Sequence, residues 1–114
     1  MTAIEVSVRV RPFNSREMKY KSKLIIGMRN GTNTELKIVR KGAILEQDEP
    51  RKFVFDNSFW THDQSQEFHT QGFVYDRLGK RILDNAMQGF NSCLFAYGQT
   101  GSGKTYTMMG VKSD

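Results

Sequence analysis

At 114 residues, with 38% hydrophobic and 25% charged side chains, 10 Gly and 2 Pro, the chain has the composition of one globular domain or part of one, which excludes a disordered or fibrous protein. Its 17 Lys and Arg outnumber 12 Asp and Glu to leave +5, but they occur in short groups (Arg9/Arg11, Lys19/Lys21/Lys23, Arg40/Lys41, Arg51/Lys52), not in the dense block of a nucleic-acid or localisation patch. The single Cys93 cannot form an internal disulfide, no signal pattern opens the chain, and no apolar run approaches the ~20 residues of a membrane span; a reducing, cytoplasmic setting is expected.

Ile4 to Val10 alternates apolar with polar side chains at the period of a strand buried on one face, and Pro12 ends it because it has no N–H to donate. Leu24 to Met28 and Leu36 to Val39 are two β-prone runs on either side of Arg29-Asn30-Gly31-Thr32-Asn33, whose Asn-Gly pair signals a tight turn. Lys41 to Lys52 mixes Gly, Pro and charge and reads as a loop, and Phe53 to Asp56 starts another strand; together these outline a small β-lobe over about 24–55. Asp63 or Ser65 is a candidate cap for the next helix. From about Gln66 to Gln88 the apolar residues Phe68, Phe73, Val74, Leu78, Ile82, Leu83, Ala86 and Met87 recur at spacings near three and four, which predicts an amphipathic helix ending at Gly89 as its left-handed cap. Ser92 to Tyr97 is almost unbroken apolar sequence and predicts a strand buried on both faces. A glycine loop and a second helix opening near Gly103 complete an α/β alternation. Only nine residues come after Thr105, too few to bring the chain back into a parallel sheet, so the expectation is a fold cut off within its sheet.

Gly98-Gln99-Thr100-Gly101-Ser102-Gly103-Lys104-Thr105 satisfies G-x-x-x-x-G-K-[ST] at every specified position, directly after the predicted strand. Chance would produce that match in a chain of this size about once in a few hundred cases, given average glycine usage. Gly98, Gly101 and Gly103 permit backbone approaches that a Cβ blocks, so successive N–H groups can face phosphate oxygens, and the helix opening behind them adds its dipole. Gln99, Thr100 and Ser102 contribute mainly backbone. Lys104 can carry a cation to the β- and γ-phosphates, and the Thr105 hydroxyl can ligate Mg²⁺. ATP or ADP with Mg²⁺ is therefore the expected cofactor.

The segment Gly89 to Gly110 resembles the phosphate-loop region of the kinesin motor domain. Val8-Arg9-Val10-Arg11-Pro12-Phe13-Asn14 is similar to that domain's first strand with its R-x-R-P base motif, and Phe53-Val54-Phe55-Asp56 is similar to the strand after its small β-lobe. Ser15-Arg16-Glu17-Met18 and Tyr106-Thr107-Met108-Met109-Gly110 are most similar to the cargo-transporting third kinesin class. The resemblance implies a P-loop NTPase-type central β-sheet flanked by helices, with residues 1–114 as its N-terminal portion. It also implies that Arg9, Arg11 and Pro12 border the adenine, with Tyr106 on another side of the base. A guanidinium plane, a pyrrolidine and an aromatic ring can hold a flat base by stacking and cation–π contact. The implied parent is an ATPase that moves along microtubules in the cytoplasm, touching tubulin through regions outside these residues, with no nucleic-acid partner.

The family's two switch stretches, N-x-x-S-S-R-S-H and D-x-A-G-S-E, do not occur in the sequence, so no catalytic residue is assigned and hydrolysis by the chain alone is not expected. Two other readings stay open. Another P-loop NTPase, such as a nucleotide kinase or helicase, would not explain the ~97 residues before the loop; a truncated motor that binds nucleotide without turning it over would. Elsewhere, Phe53, Phe55, Phe59 and Trp60 read as packing residues. His62 and His69 read as surface or cap residues, Cys93 as an inert core thiol, and Asp56, Asp63 and Glu67 as turn or cap carboxylates.

Overall fold

The computed structural model describes residues 4–110, which divide into two compact units at the Phe68/His69 boundary. The last four of the nine residues after Thr105 lie outside the described residues.

In the first unit, β1 (Ser7–Val10) pairs in parallel with β7 (Asn57–Trp60), with Arg9 opposite Phe59 and Val10 opposite Trp60. The strand is shorter than the alternation from Ile4 predicts, because the Ile4 and Val6 side chains are exposed. Asp56 holds the Val6 backbone instead: its carboxylate accepts from the Val6 N–H at 2.7 Å, and its own N–H donates to the Val6 carbonyl at 2.9 Å. Between the two strands the chain makes α1 (Ser15–Lys19) and an antiparallel sheet in the order β2 (Ile26–Arg29), β3 (Asn33–Leu36), β6 (Arg51–Val54). Asn30 and Gly31 turn β2 into β3 with φ of 57° and 70°, the left-handed pair that an Asn-Gly signal specifies. The second lobe strand is thus Asn33–Leu36, set by the register Arg29 opposite Asn33, rather than the Leu36 to Val39 run. Within the expected loop, Lys41 and Gly42 (φ 51° and 76°) close a further hairpin between β4 (Val39–Arg40) and β5 (Ala43–Ile44). A lysine is an unusual residue for a left-handed position, which is why the turn carries no clear signal.

The lobe is joined to the parallel pair through polar contacts at β7. Ser58 N–H donates to the Gly31 carbonyl at 2.6 Å, and the buried hydroxyls of Ser58 and Thr34 share a hydrogen bond of 2.8 Å. Met28, Phe59 and Trp60 form the apolar core of this unit. The indole N–H of Trp60 donates to the carbonyl and a carboxylate oxygen of Asp63, which also accepts from the backbone and hydroxyl of Ser65. Asp63 therefore closes a turn. Phe53, by contrast, is exposed on β6 and stacks on Phe55 at 6.3 Å.

The second unit starts its helix at Gln71, not at Gln66. Thr70 is the N-cap, extended at φ −74° and ψ 168°, and its hydroxyl accepts from the Phe73 N–H at 3.1 Å. The helix runs as α2 (Gln71–Val74), a π-helical turn (Tyr75–Gly79) and α3 (Lys80–Met87). Beyond the π turn Leu83 and Met87 are exposed, where strict periodicity predicts burial. Gly89 (φ 86°) then caps the helix, with Gly89 N–H to Ala86 and Phe90 N–H to Asn85. His69, buried and stacked on Phe73 at 4.5 Å, is not a surface residue; Arg77 lies over the same Phe73 ring at 5.0 Å.

Residues 92–97 differ most from expectation. They form no strand, and Leu94, Phe95 and Tyr97 are exposed, as is Cys93, which is therefore not a core thiol. An apolar run specifies burial but not its partner: a strand of a parallel sheet needs neighbours to pair its N–H and carbonyl groups, and no described strand pairs with this segment. The chain then enters α4 (Lys104–Met109).

Candidate nucleotide site

In the second unit, residues 98–103 fold tightly before α4. Gly103 is the helix N-cap, left-handed at φ 101° and ψ 11°, a conformation strained for any residue with a Cβ. Gly98 is required for a different reason: a Cβ there would lie 2.5 Å from the Ser102 hydroxyl oxygen and 3.1 Å from the Ser102 Cβ. The Ser102 N–H donates to the Gln99 carbonyl at 3.1 Å, which closes the turn and brings Ser102 over Gly98. Its hydroxyl oxygen is buried and, among the described residues, has no hydrogen-bond partner, a costly state for a polar atom.

The Lys104 ammonium folds back across the loop to donate to the Gly98 carbonyl. Gln99, Thr100, Gly101, Thr105 and Tyr106 are exposed, so the Thr105 hydroxyl and the Tyr106 ring are open to a ligand. The helix behind the loop is anchored by Gln71, whose side-chain amide donates to the carbonyls of Tyr106 (3.2 Å) and Thr107 (2.9 Å). Nothing in the sequence pattern marks Gln71 for that role.

In the first unit, Arg9 and Arg11 are both gripped. Arg9 Nε donates to Thr61 Oγ1 at 3.0 Å. Arg11 makes a fork on Glu17, Nη1 to Oε1 at 2.5 Å and Nη2 to Oε2 at 3.2 Å, and Nη1 also donates to the Pro12 carbonyl at 2.9 Å. Glu17 is itself fixed by a capping box: it accepts from the Asn14 N–H at 2.9 Å while Asn14 Oδ1 accepts from the Glu17 N–H at 2.8 Å. On the other side, His62 Nδ1 donates to the Arg11 carbonyl at 2.9 Å. His62 is buried between the rings of Phe13 (4.5 Å) and Trp60 (5.4 Å), so it is a core residue that orients Arg11's backbone, not a surface or cap residue. Pro12 is exposed beside them. Glu17 and His62 are supports that motif reading does not find; the N-x-x-E spacing of Asn14 and Glu17 is the available signal for the first.

The hydrogen bond from Arg11, reinforced by that from the Asn14 N–H, lowers the Glu17 carboxyl from its ordinary 4.5 to about 2, and the same bond raises the Arg11 pKa. A depressed carboxylate contributes stability above its ordinary pKa and loses it as pH falls through the folded value. The Glu17 contribution is thus fully present above 4.5 and declines from there towards about 2. Because both side chains are partly solvent-exposed, solvent screens the pair and the effect on global stability is small. A carboxyl ¹³C titration of Glu17 is expected to show a midpoint near 2; a midpoint near 4.5 would mean that the fork does not persist in solution.

The α/β elements and the glycine loop that opens a helix at Lys104-Thr105 define a P-loop NTPase-type fold. The chain belongs to the kinesin motor domain family, which it matches over residues 9–114. It is 46% identical to kinesin-like protein Klp98A of Drosophila melanogaster over 117 aligned residues, covering 100% of this chain and 9% of that protein. It is 46% identical to human kinesin-like protein KIF1B over 114 residues (98% of this chain, 6% of that protein). Kinesin-like protein unc-104 of Caenorhabditis elegans is 44% identical over 115 residues (100% and 7%). Among solved structures, KIF14 segment 391–755 with ADP, in complex with a microtubule, superposes with a TM-score of 0.80 at 40% identity, covering 96% of this chain and 28% of that one. The chain therefore spans less than a tenth of these curated relatives and just over a quarter of the KIF14 segment. The resemblance drawn from the phosphate loop and the R-x-R-P strand is borne out at the level of the family.

Proposed function

We propose that this chain is the nucleotide-binding, N-terminal portion of a kinesin-type motor domain, with the β-lobe at about 24–55 and the phosphate loop at 98–105. The observation that carries the reading is the loop itself: left-handed Gly103 at the helix start, Gly98 pressed against Ser102, and Lys104 folded over the loop. Backbone N–H groups of residues 98–105 hold the phosphates, and Lys104 exchanges the Gly98 carbonyl for β- and γ-phosphate oxygens. The unpartnered Ser102 hydroxyl, beside Gly98, suits a loop that reorganises around an oxygen-rich ligand.

A divalent cation fits one donor of this chain. Among the described residues no group of three or more His, Cys, Asp or Glu could hold a metal, but Thr105 offers an exposed hydroxyl at the helix start. Mg²⁺ is a hard ion that keeps water and phosphate oxygens, so one hydroxyl is a sufficient protein contribution. Bound there, it would neutralise charge on the phosphates. Arg9, Arg11 and Pro12 at the end of the first strand have groups suited to border an adenine, and Tyr106 in the second unit has an exposed ring of the kind that stacks on a base.

Kinesin family members are microtubule-stimulated ATPases, and KIF14 carries ADP or AMP-PNP in complexes with microtubules. By extension, the protein to which this chain belongs couples ATP hydrolysis to movement along microtubules, as a microtubule-associated component of the cytoplasm. The two switch stretches are not in this sequence, so these residues bind nucleotide without supplying the hydrolytic groups. No helix among the described residues is long and apolar enough to cross a membrane.

Titrating the 114-residue chain with ATP by calorimetry, with and without Mg²⁺, tests this reading. Saturable binding that tightens with Mg²⁺, without phosphate release, is the expected result. Absence of binding would overturn the nucleotide assignment, and steady phosphate release would overturn the placing of the hydrolytic groups elsewhere.

A further inference from the structure

Arg11 is held at three points that have no role in pairing β1 with β7. Its carbonyl accepts from His62, and its guanidinium edge is occupied by both oxygens of Glu17 and by the Pro12 carbonyl. Glu17 is in turn immobilised by the capping box with Asn14. An arginine left to itself samples many rotamers, and a planar group that stacks on a base loses that freedom on binding. Here the side chain is already ordered, while 34% of its surface stays open to solvent.

We propose that Glu17 is a positioning residue for base recognition: by forking onto both Nη atoms of Arg11 it fixes the guanidinium plane, so that the edge is satisfied by protein and the face can meet the nucleotide base. The inference rests on the proposed reading of Arg11 as a base-bordering residue. It gives α1 a purpose that its five residues and lack of any buried side chain do not otherwise supply. The helix is short and contributes no core; its capping box holds the carboxylate that holds Arg11.

Glu17→Gln is the informative variant. Glutamine still accepts from the Asn14 N–H, so the capping box survives, but it offers one neutral acceptor where the guanidinium requires two charged ones. Two probes separate base from phosphate: Mg·ATP, and Mg·tripolyphosphate, which has no base. Binding of ATP is expected to weaken about 3- to 10-fold, the scale of ordering one long side chain, while binding of tripolyphosphate stays unchanged. In an Arg11→Ala background, Glu17→Gln is expected to have no further effect on ATP, since Glu17 acts only through Arg11. Equal loss for both probes would show a merely structural role and overturn the proposal, as would unchanged ATP binding. If Glu17→Gln alters the far-UV circular dichroism, Glu17→Asp carries the same test, because the shorter carboxylate keeps the charge in the first helical turn but cannot reach both Nη atoms of Arg11. Failure of the wild-type chain to bind either probe would instead overturn the nucleotide reading itself.

Discussion

Lys104→Ala is expected to weaken Mg·ATP binding by about 30-fold or more, the consequence of removing one partner of a charge-assisted contact worth at least ~2 kcal/mol. Lys104 is partly exposed at the start of α4, where its ammonium donates to the Gly98 carbonyl. Its loss therefore removes a cation from the loop without opening a cavity in the core, and the thermal transition of the chain should move little. Lys104→Arg is expected to recover only part of the affinity. The ammonium reaches the Gly98 carbonyl by folding back on itself, and a planar five-donor guanidinium does not fit that path as a compact point charge does. Calorimetric titration with Mg·ATP measures both variants. Affinity for Lys104→Ala within 3-fold of wild type, on the order of 0.6 kcal/mol, would remove Lys104 from the phosphate site.

Gly98→Ala is expected to be nearly as damaging by a different route. The added Cβ would sit 2.5 Å from the Ser102 hydroxyl oxygen and 3.1 Å from the Ser102 Cβ, so the hydroxyl must rotate away and Ser102 must shift, which disturbs the loop whose backbone N–H groups face the phosphates. Displacing two or three charge-assisted contacts together is expected to cost about 10-fold or more in Mg·ATP affinity. Because the clash is with the Ser102 side chain and not with backbone, Gly98→Ala combined with Ser102→Gly should recover part of that affinity. Recovery is incomplete, since φ of 157° at Gly98 remains unfavourable for alanine. Equal affinities for the single and double variants would show that the steric account is wrong.

Features governed by a few adjacent residues were legible in the sequence. Asn30-Gly31 form the left-handed turn that their dipeptide predicts, Gly89 caps its helix, and Gly103 turns the chain into α4 at Lys104. The Lys41-Gly42 hairpin escaped because lysine rarely occupies a left-handed position, and the π turn escaped because the apolar period from Phe73 to Met87 does not reveal an inserted residue. The grips on Arg11 were hidden for another reason. Glu17 and Asn14 are near it in sequence, but His62 is 51 residues away and reaches it only because β7 lies parallel to β1.

Neighbouring residues thus dictate the local chemistry: a glycine loop able to wrap phosphate, a lysine and a hydroxyl at the helix start, and enough motif likeness to place the chain in its family. Such features rest on backbone sterics and donor types, which a short stretch of chain carries with it. The long-range partners had to await the folded chain: Thr61 on Arg9, His62 on the Arg11 carbonyl, and Gln71 on α4. The same is true of residues 92–97, which are apolar enough for a buried strand and yet stay exposed. Hydrophobicity states a preference for burial, and only a neighbouring strand with matching hydrogen-bonding groups can satisfy it.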